Sequence, residues 1–149
     1  MKRIIIDADK CDGCKNCSVA CMQAHTPDST LYNLDLTDPW LESRNTILLD
    51  SNMKYIPLFC RHCEKPECAG ACMSGAMAKD PVTGHVRYDV NKCAKCFMCV
   101  MSCPFGVLKP DRASRSYVVK CDFCVAKDEE PSCVKMCPKK SISVAEVDR

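Results

Sequence analysis

The chain has 149 residues, a formal net charge of +2 and sixteen cysteines, and this length suits one domain or two very small lobes. Such a high cysteine content is typical of disulfide scaffolds or metal-binding proteins. A disulfide scaffold needs an oxidising compartment, but the N-terminal segment has only three consecutive apolar residues, Ile4–Ile6, and no secretory signal core. No run approaches the roughly 18 apolar residues of a membrane span. We therefore expect a cytoplasmic protein, without direct membrane insertion, whose thiols bind metal.

Short strands, turns and helices are predicted around the cysteines. Pro81 and Gly84 suit a hairpin turn over residues 79–86, and Ser18–Ala24 suits a short helix. The longest stretch without cysteine contains the only tryptophan, Trp40, and is interpreted as an insertion with one hairpin. The predicted strands are Arg3–Ile6, His85–Tyr88 and Ser116–Val119, with Thr46–Leu49 and Lys54–Ile56 forming the hairpin of the insertion.

The cysteines fall into four groups of four, and each group opens with CxxC and closes with CxxxC. Groups one and three share the dense spacing CxxCxxCxxxC, whereas groups two and four have a longer middle gap. This self-similarity indicates an internal repeat. In chain order the groups are Cys11, Cys14, Cys17 and Cys21; Cys60, Cys63, Cys68 and Cys72; Cys93, Cys96, Cys99 and Cys103; and Cys121, Cys124, Cys133 and Cys137.

The dense spacing favours iron–sulfur clusters over zinc. A CxxC pair lets two sulfurs bind one metal centre while the intervening backbone amides point at the sulfurs. In the bacterial CxxCxxCxxxCP run, three cysteines hold one cubane and the fourth ligates the other cluster. Structural zinc sites use two well-separated pairs instead. Four [4Fe–4S] clusters would use all sixteen cysteines, which makes zinc and disulfides the weaker alternatives.

Bound clusters would also change the charge of the protein. An oxidised [4Fe–4S] core with four thiolates contributes about −2, so four clusters would bring the protein to about −6. The excess of Lys and Arg then compensates buried anionic clusters, and we expect no nucleic-acid partner.

A proline follows the last cysteine in only two of the groups, at Cys103 and Cys137. Proline lacks a backbone N–H and has a fixed φ, so it restricts a helix. Its absence after Cys21 and Cys72 predicts that a helix can run through those two positions.

The local strings around groups two and three carry a resemblance to a known family. They are Phe59–Cys68, Ser74–Met77, Asp80–Gly84 and Lys92–Val107. The whole cysteine frame resembles the four-cluster, ferredoxin-like electron-transfer subunits typified by the iron–sulfur subunit of dimethyl sulfoxide reductase. Such subunits serve hydrogenases, formate dehydrogenases, molybdopterin or tungstopterin oxidoreductases and carbon monoxide dehydrogenases. The short form looks most like the subunits that accompany anaerobic carbon monoxide dehydrogenase or aldehyde oxidoreductase.

The resemblance implies an electron carrier with a catalytic oxidoreductase subunit as one partner and a flavoprotein or ferredoxin as acceptor. It also implies an α+β fold made of two nested bacterial-type dicluster ferredoxin folds, with short antiparallel hairpins and short helices. The twenty residues between Cys72 and Cys93 agree with this, because groups two and three together have the size of an ordinary two-cluster ferredoxin. Sequential pairing of neighbouring groups is the alternative.

Nesting makes residues 1–149 a single polyferredoxin unit. Its inner lobe covers about 55–108, its outer lobe about 1–24 plus 109–149, and its insertion 25–54. Exchange of the fourth cysteine between paired groups then predicts four ligand sets. The inner sets are Cys60, Cys63, Cys68 and Cys103, and Cys93, Cys96, Cys99 and Cys72. The outer sets are Cys11, Cys14, Cys17 and Cys137, and Cys121, Cys124, Cys133 and Cys21.

No catalytic constellation is evident, so we expect that the chain itself is not an enzyme. The five glycines form no phosphate-binding loop, and every cysteine already has a role as a ligand. Three alternatives stay open: an enzyme with an open iron site, an oxygen-labile redox sensor, and a free-standing ferredoxin. The first would need a cluster with three cysteines, and the second would need a DNA-binding or signalling element.

Several residues near the ligands have structural interpretations. His62 is expected to be a surface residue of a tight loop, while Arg61 is equally compatible with tuning a cluster. His25 and His85 are expected to be ordinary loop and strand residues, and the segment 128–130 a solvated acidic bend. Two larger sets are expected to pack over the clusters: the aromatic residues Phe97, Phe105, Phe123, Tyr88 and Tyr117, and the methionines Met22, Met73, Met98, Met101 and Met136.

Overall fold

Antiparallel strand pairs form the sheets of the computed structural model, which describes residues 1–27, 29–125 and 130–147; three pairs join consecutive strands and one joins the two ends of the chain. Short 3-10 turns at Ala8–Lys10 and Val90–Lys92 lead into groups one and three. The strands are β1 (Lys2–Ile6), β2 (Thr46–Leu49), β3 (Tyr55–Leu58), β4 (Met77–Lys79), β5 (Val86–Tyr88), β6 (Lys109–Pro110), β7 (Val118–Val119) and β8 (Ile142–Glu146). The helices are α1 (Asn16–Ala24), α2 (Glu67–Gly70), α3 (Met98–Met101) and α4 (Ser132–Lys135).

The two ends of the chain lie side by side. β1 pairs with β8 from Lys2 opposite Glu146 to Ile6 opposite Ile142, and α1 packs against α4. Beneath this pair, Ile4 and Ile142 are buried together with Phe59, Phe123 and Cys133. The segments that flank groups one and four therefore share one apolar core.

A second core lies around the middle of the chain, where β4 pairs with β5 and β6 with β7. Its buried members are Met77, Val86, Cys99, Leu108 and Val118. The predicted turn before β5 is confirmed: Gly84 has φ +75°, and its N–H donates to the Asp80 carbonyl at 2.9 Å. The hairpin predicted in the insertion is also confirmed, with Thr46 opposite Leu58.

One buried carboxylate organises the turn between β6 and β7. Asp111 is 1% exposed and accepts hydrogen bonds from the backbone N–H groups of Ser114, Arg115, Ser116 and Tyr117. Burial alone would raise the pKa of Asp111, but these bonds outweigh it and lower the pKa to about 2. Because Ser116 and Tyr117 donate to this carboxylate, regular strand structure begins at Val118 and not at Ser116 as predicted.

The prediction that helices continue through Cys21 and Cys72 is right at one position and wrong at the other. α1 has nine residues and runs through the buried Cys21, whereas α2 ends at Gly70, before Cys72. Glycine has a low helix propensity, which accounts for the early end of α2. Within the described residues, no helix combines the length and the apolarity needed to cross a membrane.

Candidate metal centres

All sixteen cysteines lie in described segments, and all are free thiols. Cys21, Cys99 and Cys133 are buried, Cys14 and Cys96 are exposed, and the rest are half-buried. A set of sixteen sulfur donors is the chemistry that soft metal centres such as iron–sulfur clusters require.

Each CxxC pair has the same backbone bend. The residue just before the second cysteine has a left-handed φ in all four groups: Gly13 at +73°, His62 at +43°, Lys95 at +57° and Phe123 at +62°. In groups three and four the bend points an amide at the first sulfur of the pair, as predicted. The N–H of Lys95 lies 3.4 Å from Cys93 Sγ, and the N–H of Phe123 lies 3.4 Å from Cys121 Sγ.

Gly13 is the glycine among these four residues, and we predict that Gly13→Ala destabilises the holoprotein. A Cβ there would lie 2.4 Å from the Tyr55 ring, in addition to a left-handed backbone penalty of about 1–2 kcal/mol. Gly75→Ala is a matched control, because Gly75 has φ +66° with no atom within 4 Å of a new Cβ. Thermal melts followed by circular dichroism should show a larger drop for Gly13→Ala; equal drops would contradict a role for the Tyr55 contact.

One cavity is lined by three cysteines of group two and the last cysteine of group three. We call it the Cys60 cavity; its cysteines are Cys60, Cys63, Cys68 and Cys103. Val86, Val107 and Leu108 form part of its apolar wall. Burial raises the pKa of Cys68 to about 11, and thiolates at Cys60, Cys63 and Cys103 raise it as well. The four sulfurs therefore interact electrostatically.

A second cavity combines three cysteines of group four with the last cysteine of group one. We call it the Cys121 cavity; its cysteines are Cys21, Cys121, Cys124 and Cys133. Phe59 and Phe123 also line it and are 3% and 6% exposed, which excludes water on that side. Burial raises the pKa of Cys133 to about 12, and Cys21 and Cys124 contribute to the rise.

Six of the remaining eight cysteines also interact electrostatically across groups. Burial raises the pKa of Cys99, and the thiolates of Cys72 and Cys93 add to the rise. Likewise, burial raises the pKa of Cys17 to about 11, with further contributions from Cys137 and Cys14.

Cys72 and Cys137, the last cysteines of groups two and four, lie in environments that favour the thiolate. Burial would raise the pKa of Cys72, but hydrogen bonding lowers it overall: the Met77 N–H lies 3.3 Å from its Sγ, and the Ser74 hydroxyl also contacts the sulfur. The pKa of Cys137 is lowered in the same way, mainly by the Ser141 hydroxyl at 3.2 Å. Metal ligation requires the thiolate, so these hydrogen bonds prepare both residues as ligands.

The expected surface position of His62 is wrong. The side chain is 1% exposed, and its Nδ1 accepts the Val86 N–H at 3.0 Å. Burial is the main cause of a pKa near 2, so the ring is neutral with its proton on Nε2. The neighbouring Arg61 is exposed and stacks on Phe105, with the guanidinium carbon 4.4 Å from the ring centroid.

His25 is also more than an ordinary loop residue. Its Nδ1 lies 2.7 Å from the Cys21 carbonyl oxygen, and its Nε2 lies 3.1 Å from Asp122 Oδ1. Burial disfavours the imidazolium, but these partners outweigh it and raise the pKa of His25 to about 10. Arg44 adds a 2.6 Å ion pair to Asp122, and its backbone N–H donates to Cys21 Sγ at 3.3 Å. His25 directly follows the predicted helix Ser18–Ala24, and its i, i+4 spacing from Cys21 was the available signal.

The other neighbours divide between core and surface. Phe123 is buried in the first core, and Tyr88 and Phe97 pack against the second. Phe105 stacks under Arg61, and Tyr117 stacks on Trp40 with centroids 6.4 Å apart.

The expected packing of methionines over the clusters is wrong for the exposed ones, Met73, Met98, Met101 and Met136; Met73 is 96% exposed and Met101 is 83% exposed. Only Met22 of this set is half-buried. Residues 128–129 of the predicted acidic bend lie outside the described residues.

Comparisons with known proteins found a family model, relatives and solved structures that this chain resembles. A family model described as a 4Fe-4S dicluster domain matches residues 51–147. The B subunit of anaerobic dimethyl sulfoxide reductase from Escherichia coli (strain K12) is 33% identical over 151 residues, covering 96% of this chain and 72% of that protein. Electron transport protein HydN of the same strain is 31% identical, covering 93% and 85%. A solved structure of the active site complex BamBC of benzoyl coenzyme A reductase with benzoyl-CoA matches 97% of this chain and 79% of its own, with TM-score 0.54 and 29% identity.

Proposed function

Because this chain belongs to the 4Fe-4S dicluster domain family, we propose that it relays electrons between a catalytic oxidoreductase subunit and a separate acceptor. The protein is an iron–sulfur electron-transfer subunit with four [4Fe–4S] clusters. The observation that carries the proposal is the pair of cavities lined by four cysteines each, the Cys60 cavity and the Cys121 cavity. The sulfur donors fit the cofactor in number and in type.

The ligand sets follow the exchange of fourth cysteines. Two sets are the cysteines of the Cys60 cavity and of the Cys121 cavity. The Cys93 set consists of Cys93, Cys96, Cys99 and Cys72, and the Cys11 set of Cys11, Cys14, Cys17 and Cys137. Sequential pairing would place Cys21 with group two, whereas Cys21 lines a cavity with three cysteines of group four, which supports the exchange.

The proposed ligand sets correspond to two nested ferredoxin-like lobes. The inner lobe covers about 55–108, the outer lobe about 1–24 plus 109–149, and the insertion 25–54. Pairing of β1 with β8 and packing of α1 on α4 support an outer lobe built from both ends of the chain.

When bound, each cluster accepts and donates single electrons, and the chain controls the conditions for that transfer. Phe59 and Phe123 exclude water from one set of sulfurs. Backbone N–H groups and hydroxyls hydrogen-bond the ligand sulfurs, and such bonds favour the more negative state of a cluster. No residue of the chain has to bind a substrate for this role.

The partner is a catalytic subunit of the carbon monoxide dehydrogenase, aldehyde oxidoreductase, formate dehydrogenase or hydrogenase type, and the acceptor is a flavoprotein or a ferredoxin. The relatives support a catalytic oxidoreductase partner, because one is named as a component of a reductase and another as an electron transport protein. We infer no nucleic-acid partner, since the clusters make the loaded protein anionic.

The iron content tests the cofactor and its number. Anaerobically purified protein should contain about sixteen iron and about sixteen sulfide per chain. A preparation that contains zinc in place of iron and still carries electrons would contradict the assignment.

Electron transfer itself is tested by reconstitution. The chain is purified anaerobically with its oxidoreductase partner, and the partner is then separated from it. Adding back the loaded chain should restore electron flow from substrate to the protein acceptor, whereas adding iron-free chain should not. Substrate turnover by the loaded chain alone would favour the enzyme alternative.

A further inference from the structure

A lysine stands directly before the first cysteine of groups one, three and four, at Lys10, Lys92 and Lys120. The side chains of Lys10 and Lys92 are 62% and 66% exposed, and each pairs with an aspartate three residues earlier. Lys120 is 5% exposed. The repeat therefore places one of its three lysines inside the protein.

The buried ammonium connects the walls of both four-cysteine cavities. Lys120 Nζ donates to the Val86 carbonyl at 2.6 Å and to the Cys121 carbonyl at 2.7 Å. Val86 lines the Cys60 cavity, and Cys121 lines the Cys121 cavity. Lys120 thus lies at the junction between the inner and outer parts of the chain.

No carboxylate within the described ranges forms an ion pair with Lys120. Burial of an unpaired charge is strongly unfavourable, and two carbonyl hydrogen bonds compensate only part of that loss. Thiolate-ligated clusters held by the cysteines of the two cavities would supply the missing negative charge.

We propose that Lys120 is the shared counter-ion of the clusters at the Cys60 cavity and the Cys121 cavity. The inference rests on the ligand sets proposed above. Reduction adds one electron to a cluster, and reoxidation removes that electron; no bond to Lys120 forms or breaks. A fixed positive charge stabilises the reduced form of each neighbouring cluster and lowers the repulsion that an electron meets on crossing between them.

The electrostatics of the ligands agree with this position. Burial raises the pKa of Cys68 in one cavity and of Cys121 in the other, and in both cases the charge of Lys120 opposes the rise. The thiolate of Cys60 also raises the pKa of Cys121, so the two cavities are close enough to interact. Lys120 therefore acts on the clusters through its charge and through the backbone carbonyls that it contacts, and it is a positioning residue.

The test compares the four reduction potentials of the loaded protein in anaerobic titrations followed by electron paramagnetic resonance. Lys120→Gln keeps an amide donor for the two carbonyls and removes the charge, whereas Lys120→Arg keeps the charge. In Lys120→Gln, two of the four clusters should become harder to reduce by about tenfold in equilibrium constant, which is about 59 mV for one electron. Lys120→Arg should stay close to the wild type, as should Lys10→Gln and Lys92→Gln, the exposed lysines of the same repeat position.

Unchanged potentials in a Lys120→Gln protein with its full iron content would overturn the inference and leave the four clusters intact. An equal shift in all four clusters, or the same shift in Lys120→Arg, would also overturn it. If Lys120→Gln loses iron while Lys120→Arg keeps it, the positive charge at this position is needed to hold the clusters, which supports the inference. Iron loss in both variants would overturn the inference and make Lys120 a structural residue only. Fewer than four clusters in the wild type would instead count against the proposed function.

Discussion

Removal of iron under anaerobic conditions should unfold most of the chain. Among the described residues the two cores have five buried members each, and each includes a predicted ligand, Cys133 in one and Cys99 in the other. α2, α3 and α4 have four residues each, far below the roughly 12–15 residues at which isolated helices become stable. Isolated two-stranded sheets are only marginally stable in water as well. The clusters therefore provide most of the stability, as in other small metal-dependent domains.

The measurement follows far-ultraviolet circular dichroism and iron content together while a chelator removes the metal. Both signals should fall in parallel, and the iron-free chain should show no cooperative melting transition. The control is the same chelator saturated with iron beforehand, which should leave the spectrum unchanged. A cooperative melt of the iron-free chain would show that the polypeptide folds without its cofactor.

The second large effect concerns the exchange of fourth cysteines between groups one and four. Cys137→Ala should destroy the cluster of the Cys11 set, lowering the iron content from about sixteen to about twelve per chain. The cluster at the Cys121 cavity should survive, because its fourth ligand is Cys21. Conversely, Cys21→Ala should destroy the cluster at the Cys121 cavity and spare the Cys11 set.

Electron paramagnetic resonance and iron counts on both variants distinguish the two arrangements. Met136→Ala is the matched control, since Met136 is an exposed neighbour of Cys137 that is not a ligand. Loss of only its own group's cluster in Cys137→Ala would argue against the exchange. Damage to the Cys60–Cys72 group by Cys21→Ala would favour sequential pairing.

The family, the cofactor and most local elements could be predicted from the sequence because they depend on spacing. The cysteine pattern led to the confirmed family, and the strands around Ile4, Ile47 and Val86 have the expected alternation or turns. Competing local hydrogen bonds limited the prediction of the other elements. Ser116 and Tyr117 have strand-like composition, yet their N–H groups donate to Asp111.

The positions of individual side chains depended on contacts between distant segments. The burial of His62 results from Val86 and Phe123, which are 24 and 61 residues away. Lys120 and Lys92 occupy the same repeat position, but Lys120 is buried and donates to the carbonyl of Val86, which is 34 residues away. Met73 and Met101 are the opposite case: although they are apolar and lie beside predicted ligands, no distant segment among the described residues covers them and their side chains are exposed.

The pairing of β1 with β8 sets an order for biosynthesis. The hairpin of β4 and β5 can close once residue 88 has left the ribosome, whereas β1 has to wait for a partner that begins at Ile142. Closing such a long loop is slow, because contacts between distant residues form late. The β4–β5 hairpin is therefore expected to form before the β1–β8 pair, so that the chain folds from its centre outward.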